Sequence, residues 1–319
     1  MPERPAARAN GPGDRPLVIA LAGPTGVGKT GAAVELGALL ADRGERAVAV
    51  NCDSMQVYRG IPVLSGGPTE EDERRLEHRL VGFVPLEEEY SVGEFARSAH
   101  AEIDSALAKG RWPILVGGSG LYMRAALTEL DLRPQVPADI QAAVEAELGE
   151  VGPEALHSQL PEPYSEWVHP RDRKRVSRYL GLLRAGEAPA PPSKVGGGLW
   201  SRTMRRPALL FGLTCDPEEL RSRIEQRVEV MAASGAVDEA RKVLEGSASR
   251  TAAKAVGVTE FAAGDHASVV KRHLALARRQ ETWMRRDETV ITLDRTGLDD
   301  REVARLLLAA VPEFAGRPA

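Results

Sequence analysis

The residues that most clearly permit chemistry form a glycine-rich octapeptide, G-P-T-G-V-G-K-T, at residues 23–30. They fill every fixed position of the pattern G-x-x-x-x-G-K-[ST], and they follow a short apolar run, Leu17–Ala22, that predicts a buried strand. Backbone N–H groups of such a loop bind phosphate oxygens at the start of a helix. The lysine adds a point charge, and the threonine hydroxyl can ligate Mg²⁺. The predicted phosphate-binding residues are Gly23, Pro24, Thr25, Gly26, Val27, Gly28, Lys29 and Thr30, with Thr30 as the metal ligand.

A second candidate is Asp53, which follows another apolar run at residues 47–50. Ligands of open α/β sheets bind at the carboxyl ends of the strands, so Asp53 is expected to face the same crevice as Lys29. A carboxylate there could coordinate Mg²⁺, hydrogen-bond a nucleoside, act as a general base, or simply cap a helix. The spacing alone leaves these roles open.

The elements that position these residues alternate between strand and helix. Helical spacing follows the glycine-rich loop, a capping box at Ser91–Glu94 predicts a helix to about Lys109, and a third buried strand is predicted at 112–116. This alternation predicts a parallel, doubly wound α/β sheet. Residues 60–90 are predicted to be irregular, apart from a helical turn around 70–76.

From residue 130 the pattern changes to helices without strands, at 140–148, 154–160 and 173–183. A Pro- and Gly-rich linker follows, and further strands are predicted at 208–213 and 290–293. We therefore predict a catalytic core at 16–129 and 200–319, with a helical insertion and linker at 130–199.

Composition excludes several classes of protein. The formal net charge of −4 excludes a uniformly basic nucleic-acid-binding protein, so any RNA contact must come from a local patch. Two cysteines, Cys52 and Cys215, exclude a disulfide framework. No apolar run approaches the roughly 20 residues of a membrane span. We expect a soluble, cytoplasmic protein with a disordered tail at residues 1–15.

Several motifs, taken in chain order, resemble those of the tRNA dimethylallyltransferases, the IPP transferase family. Besides the octapeptide they are D-S-M-Q-V-Y-R-G from Asp53, G-G-S-G-L-Y from Gly117, H-P-x-D-x-x-R-x-x-R from His169, R-I-E-Q-R from Arg223 and R-Q-x-T-W-x-R from Arg279. The resemblance covers roughly residues 17–294. It implies a P-loop NTPase-like fold and transfer of a dimethylallyl group from its diphosphate to N6 of adenine 37 of tRNA, with Mg²⁺ as cofactor.

The resemblance also implies roles for individual residues. Asp53 is the expected base, Thr25 lies near the oxygen that bridges prenyl and phosphate, and Ser119 stands where relatives usually carry threonine. Lys29 and Arg279 are expected to neutralise the diphosphate. The residues expected to bind the anticodon stem-loop of tRNA are Asp53, Ser54, Met55, Gln56, Ser119, Gln141, Lys174, Arg175, Val176, Ser177 and Arg178.

The chain departs from the family pattern at several phosphate and RNA contacts. Gly67 replaces a lysine, Glu218 and Leu274 replace arginines, Val258 replaces an aromatic residue, and Gln141 stands where arginine is common. These replacements are expected to affect the affinity for substrates, the choice of prenyl donor and the catalytic activity. Trp283 is predicted to be a core or RNA-adjacent packing residue. Four histidines are predicted to be surface or packing residues: His100, His157, His266 and His273.

Other functions fit parts of the pattern. A small-molecule P-loop kinase would use Lys29 and Asp53 for phosphoryl transfer. A nucleotide prenyltransferase acting on AMP, or a tRNA-binding paralogue with impaired catalysis, would retain the same motifs. A GTPase is disfavoured because the sequence contains no N-K-x-D. We expect a monomer without a stable protein partner.

Overall fold

The computed structural model describes residues 17–129, 136–188, 203–312 and residue 314. Within these, residues 17–129 and 204–314 form one compact unit, and residues 136–188 belong to a second. The predicted tail at 1–15 and most of the predicted linker lie outside the described residues. None of the helices described is long and apolar enough to cross a membrane.

The first unit is built on a parallel sheet of six strands in the order β3-β2-β4-β1-β5-β6. In chain order the strands are β1 (Val18–Ala22), β2 (Arg46–Asn51), β3 (His78–Arg79), β4 (Arg111–Gly117), β5 (Ala208–Thr214) and β6 (Val290–Asp294). This arrangement confirms the predicted α/β fold class.

The central strands bring three loops to one edge of the sheet. β4 lies between β1 and β2, with Ala22 paired to Gly117 and Asn51 paired to Val116. Because the strands are parallel and in register at these residues, the loops that follow β1, β2 and β4 start side by side. Every residue of β1 is buried, as expected for a central strand covered on both faces.

The irregular segment predicted at 60–90 is wrong in two respects, since it contains a four-residue helix at Pro62–Ser65 and the edge strand β3. This strand has two residues, His78 and Arg79, which pair with Ala49 and Val50 of β2. A polar dipeptide has neither the length nor the alternation that marks a strand in sequence. Its pairing with β2 decides its conformation.

Helices cover both faces of the sheet. Those in the first unit are α1 (Lys29–Ala41), α2 (Pro62–Ser65), α3 (Glu70–Arg75), α4 (Val92–Ala108) and α5 (Gly120–Leu127), and later α9 (Pro217–Ala233), α10 (Ala236–Glu245), α11 (Val258–Ala262), α12 (His266–Arg286) and α13 (Asp300–Ala309). The predicted capping box at Ser91 is confirmed, and Asp216 caps α9 with Pro217 at its first position.

The second unit consists of α6 (Ala138–His157), α7 (Tyr164–Trp167) and α8 (Arg173–Arg184). Gly152, with φ +81°, breaks α6 into two helical segments, which agrees with separate helical patterns on either side of it. Val144 and Leu148 pack with Val176 and Leu180 in a core of this unit. No strand occurs between residues 136 and 188.

Candidate functional site

The glycine-rich loop leads directly into α1. Gly26 and Gly28 have φ values of +82° and +88°, which favour glycine, and Gly28 is the N-cap residue of α1. No side chain caps this helix end. The first N–H groups of α1 therefore have no side-chain partner at this helix end and could bind an anion.

The side chain of Lys29 folds back against the glycine-rich loop. Its Nζ donates hydrogen bonds to the carbonyl oxygens of Gly23 at 3.0 Å and Pro24 at 2.9 Å. Burial and, to a smaller extent, the charge of Arg227 lower the pKa of Lys29 to about 8, although the charge of Asp53 opposes this shift. The ammonium is thus held within the glycine-rich loop, and its predicted role as a phosphate ligand stays a prediction.

Gln280 and Trp283 of α12 hold the loops that follow β1 and β4. The backbone N–H of Thr25 donates to Gln280 Oε1 at 2.7 Å, and Trp283 Nε1 donates to the Gly118 carbonyl at 3.1 Å. These contacts give Trp283 a packing and positioning role, as predicted. They also explain Gly118, because a side chain there would collide with Gln280.

A second support reaches the loop from the segment after β6. Arg295 Nη1 donates to the Val27 carbonyl at 2.9 Å and to Asp300 Oδ1 at 2.8 Å. Arg295 is 1% exposed and lies so close to the loop that a side chain on Gly28 would collide with it. The sequence offers no local signal for this contact, which joins residues 268 positions apart.

Asp53 follows β2 in a tight turn. Its Oδ1 accepts the N–H of Met55 at 2.9 Å, and its own N–H donates to Asn51 Oδ1 at 2.9 Å. Asn51 is anchored in turn by a bond from its Nδ2 to the Leu80 carbonyl, beyond β3. The carboxylate is therefore fixed at the carboxyl edge of the sheet.

These loops surround one cleft of about 810 Å³, including its solvent-open part. Six of the predicted site residues with side chains line it together: Thr25, Lys29, Thr30, Asp53, Met55 and Gln56. Ser119 and Arg279 are not among the described lining residues, although the neighbouring Gly117 is. Arg279 is exposed on α12, and Ser119 is the N-cap residue of α5. Their predicted roles stay predictions.

Among the lining residues that were not predicted as site residues are the titratable side chains of Arg227 and His273. Arg227 Nη2 donates to the Gly66 carbonyl at 3.0 Å, the same oxygen that accepts from Gln56 Nε2 at 3.1 Å. Burial lowers the pKa of Arg227, and the charge of Asp53 opposes that shift. The R-I-E-Q-R motif on α9 therefore places a cation, Arg227, in the wall of the cleft.

His273 was predicted to be a surface or packing residue, but its side chain is 5% exposed and lines the cleft. It lies on the buried face of α12 together with Val269, Ala277 and Gln280. This spacing is the sequence signal that could have identified His273 as buried, since positions four and seven residues apart share one helix face. The spacing does not reveal what that face packs against.

In the second unit, the predicted RNA-binding residues separate into exposed and buried groups. Lys174 and Arg175 are exposed on α8, and Arg175 Nε lies 3.4 Å from Asp172 Oδ2. Val176 is fully buried, and Ser177 Oγ accepts from Gln141 Nε2 at 2.8 Å. Any contact of these side chains with RNA is thus expected first from Lys174 and Arg175, and then from the partly exposed Arg178.

The cleft offers few side-chain ligands for a metal. The described residues contain no group of three or more His, Cys, Asp or Glu that could hold an ion. Mg²⁺ is usually bound by one or two protein oxygens together with substrate phosphates and water. The Thr30 hydroxyl, at the start of α1 and lining the cleft, fits this mode of binding.

Comparison with known protein families gives one match by family model. The model described as IPP transferase matches residues 56–287. A Thermobifida fusca protein named tRNA dimethylallyltransferase is 37% identical over 310 residues, which cover 90% of this chain and 93% of that protein. A protein of the same name from Nitratidesulfovibrio vulgaris is 36% identical, over 85% of this chain and 90% of its own.

Solved structures give the same picture. The tRNA isopentenylpyrophosphate transferase of Bacillus halodurans aligns with a TM-score of 0.64 and 27% identity, over 91% of this chain and 94% of its own. A eukaryotic dimethylallyltransferase acting on tRNA aligns with a TM-score of 0.73, over 94% of this chain and 80% of its own. At 22% identity the latter supports the fold alone.

Proposed function

The chain belongs to the IPP transferase family, and from this membership we propose that it is a tRNA dimethylallyltransferase. The reaction transfers a dimethylallyl group from dimethylallyl diphosphate to N6 of adenine 37, next to the anticodon. Two relatives that are 36–37% identical over most of the chain carry this name. The cleft supplies the chemistry that such a transfer needs.

Departure of the diphosphate is the main electrostatic problem in this reaction. The N–H groups at the start of α1, the ammonium of Lys29 and the guanidinium of Arg227 all face the cleft. Such preorganised groups stabilise charge that develops on a leaving group. Mg²⁺ on the Thr30 hydroxyl would add Lewis-acid stabilisation of the phosphate oxygens.

Nucleophilic attack needs an acceptor for the proton of the adenine amine. Asp53 lines the same cleft as Lys29. Its orientation is fixed by the N–H of Met55, which donates to Asp53 Oδ1, and by its own N–H, which donates to Asn51 Oδ1. In the proposed reaction the N6 lone pair attacks the prenyl carbon, the carbon–oxygen bond to the diphosphate breaks, and the N6 proton passes to Asp53.

The acceptor base must leave its stack in the anticodon loop to reach such a cleft. Met55 and Gln56, which line the cleft beside Asp53, are the proposed contacts for that base. Lys174 and Arg175 on α8 are proposed to bind tRNA phosphates, because RNA affinity depends strongly on such cationic contacts. Both cysteines are free in the described part of the chain, which fits a reducing cytoplasm.

The observation that carries the proposal is the placement of Asp53 and Lys29 in one cleft of a chain whose relatives are named for this reaction. The test is incubation with radiolabelled dimethylallyl diphosphate, Mg²⁺ and unmodified tRNA. Label on tRNA, lost when adenine 37 is replaced by guanine, supports the proposal.

Other outcomes contradict it. Label on AMP but not on tRNA would indicate a nucleotide prenyltransferase. Phosphorylation of a small molecule by ATP would indicate a kinase. Binding of tRNA without transfer, under conditions in which a relative is active, would indicate a protein that has lost turnover.

A further inference from the structure

His273 is buried in the cleft wall without any hydrogen bond. Its side chain is 5% exposed, and neither Nδ1 nor Nε2 has a partner among the described residues. An imidazole always carries at least one N–H donor. A buried polar group without a partner is destabilising, and in a native protein it calls for an explanation, such as an ordered water, an ion or a functional partner.

The surroundings of His273 indicate the charge of that partner. Lys29 and Arg227 line the same cleft, and the positive charge of Arg227 acts directly on the imidazole. Gln280, seven residues later on the same face of α12, accepts the N–H of Thr25 in the glycine-rich loop. His273 therefore belongs to the face of α12 that serves this loop, and a cation-rich cleft selects an anion.

We propose that His273 is a ligand of the leaving group and donates an imidazole N–H to an oxygen of the diphosphate held by the glycine-rich loop. This inference rests on the proposed function, in which the cleft binds a prenyl diphosphate. No covalent step is assigned to His273, which binds the pyrophosphate moiety before and after transfer.

Binding of the anion changes the protonation of the imidazole. Without a ligand, burial and the charge of Arg227 lower the pKa of His273 to about 4, so the side chain is neutral near pH 6. A nearby anion favours the imidazolium form. The complex is therefore expected to take up a proton at His273 in mildly acidic solution.

Other charged groups bear on that titration. In the described cleft they are Lys29, Arg227 and the carboxylate of Asp53. Two helices that also pack against α12 carry Glu260 and Arg124. Glu260 pairs with Arg272, and Arg124 pairs with Asp287.

The test measures binding of inorganic pyrophosphate, with Mg²⁺, by isothermal titration calorimetry at pH 6 in buffers of different ionisation enthalpy. We compare wild type with His273→Leu and His273→Gln, and use His266→Gln as a control because His266 is exposed on the same helix. His273→Leu is expected to weaken binding by about tenfold or more, the range for a hydrogen bond to a charged group. Both His273 variants are expected to lose the extra proton uptake, and the control is expected to keep it.

The inference is overturned if a folded His273 variant binds pyrophosphate with the wild-type dissociation constant and proton uptake. His273→Gln conserves polarity and approximate size, so it provides a folded variant if His273→Leu does not fold. Pyrophosphate binding needs no tRNA acceptor. A failure of the His273 proposal can therefore be told apart from a failure of the proposed prenyl transfer. Histidine-dependent binding without prenyl transfer to tRNA would contradict the proposed function alone.

Discussion

At the scale of single residues, Asp53 is the sharpest test of catalysis. Asp53→Asn keeps an oxygen that can accept the N–H of Met55, so the turn after β2 is preserved while the base is removed. We expect kcat for prenyl transfer to fall by about 10²- to 10⁴-fold, the usual effect of losing a positioned base. Pyrophosphate binding should persist. The measurement is single-turnover transfer of label to tRNA.

A matched control exists for Asp53. Asp294 ends β6, and its Oδ1 accepts the N–H of Thr296 at 2.9 Å in a turn of the same kind. Asp294→Asn changes charge and turn chemistry in the same way at an exposed site outside the cleft. Equal losses of activity in the two variants would exclude a specific role for Asp53.

His273 also predicts how stability depends on pH. Its pKa falls from an ordinary value of 6.5 to about 4 on folding, because burial and Arg227 oppose the charged form. The unfolded chain therefore binds more protons between these values, so the free energy of unfolding decreases as pH falls from about 6.5 towards 4. At pH 5 the loss from this group is about 2 kcal/mol.

Urea unfolding at pH 7.5 and pH 5 measures this effect. His273→Gln has no titrating group, so its free energy of unfolding should decrease by about 2 kcal/mol less than that of wild type over this interval. His266→Gln, at the exposed start of α12, should behave like wild type. An unchanged pH dependence in His273→Gln would mean that His273 has an ordinary pKa.

The sequence could identify some of these residues and not others. The glycine-rich loop and Asp53 are recognisable because their geometry is local, fixed by a few consecutive residues at a strand end. Arg227 and His273 enter the cleft through the packing of α9 and α12. A single sequence does not determine which face of a helix meets which loop, so their contacts became visible only in the structure.

At the scale of elements, the glycine-rich loop depends on the segment that joins β6 to α13. Arg295→Met removes the bond to the Val27 carbonyl and the ion pair with Asp300. We expect the free energy of unfolding to decrease by about 1–3 kcal/mol, and pyrophosphate binding to weaken, because the loop loses its support. Urea unfolding and calorimetric titration measure the two effects.

The control for Arg295 lies on α13 itself. Arg301 is half exposed and pairs with Glu35 at 3.3 Å, and a surface pair of this kind contributes roughly 1 kcal/mol or less. Arg301→Met should therefore leave pyrophosphate binding unchanged. A variant of Arg295 with weakened stability but wild-type pyrophosphate binding would show that the contact serves folding alone.

The strands show the same limit of prediction from sequence, which does not reveal how elements pair or pack. β1 and β4 are buried apolar runs next to glycine turns, and the sequence places both correctly. The insertion of β4 between β1 and β2 is a tertiary pairing that no local pattern encodes. That pairing is nevertheless what sets the loops after all three strands side by side.

At the scale of the whole molecule, RNA binding requires a local patch of positive charge. The formal net charge is −4, so the protein as a whole does not attract a polyanion. The exposed Lys174 and Arg175 concentrate positive charge at the start of α8. The prediction of a helical insertion rested on helical patterns and a basic run, since both are features of the sequence itself.

The double variant Lys174→Gln, Arg175→Gln tests this patch. If both side chains contact phosphates, tRNA binding weakens and the slope of log K against log salt falls by roughly 1.4–1.8, the release of counterions from two contacts. Pyrophosphate binding is expected to stay unchanged, since the residues proposed to bind it belong to the first unit. Filter binding of tRNA over a range of salt concentrations measures both quantities.

Arg184→Gln is the control, because Arg184 ends the same helix and pairs with Glu147 at 2.6 Å. Removing one cation from α8 changes net charge without touching the patch. A salt slope that falls equally in the control would show that the protein senses overall charge rather than contacts at Lys174 and Arg175. A salt slope that falls only in the double variant would place contacts with RNA phosphates at Lys174 and Arg175 on the second unit, apart from the cleft residues, which belong to the first.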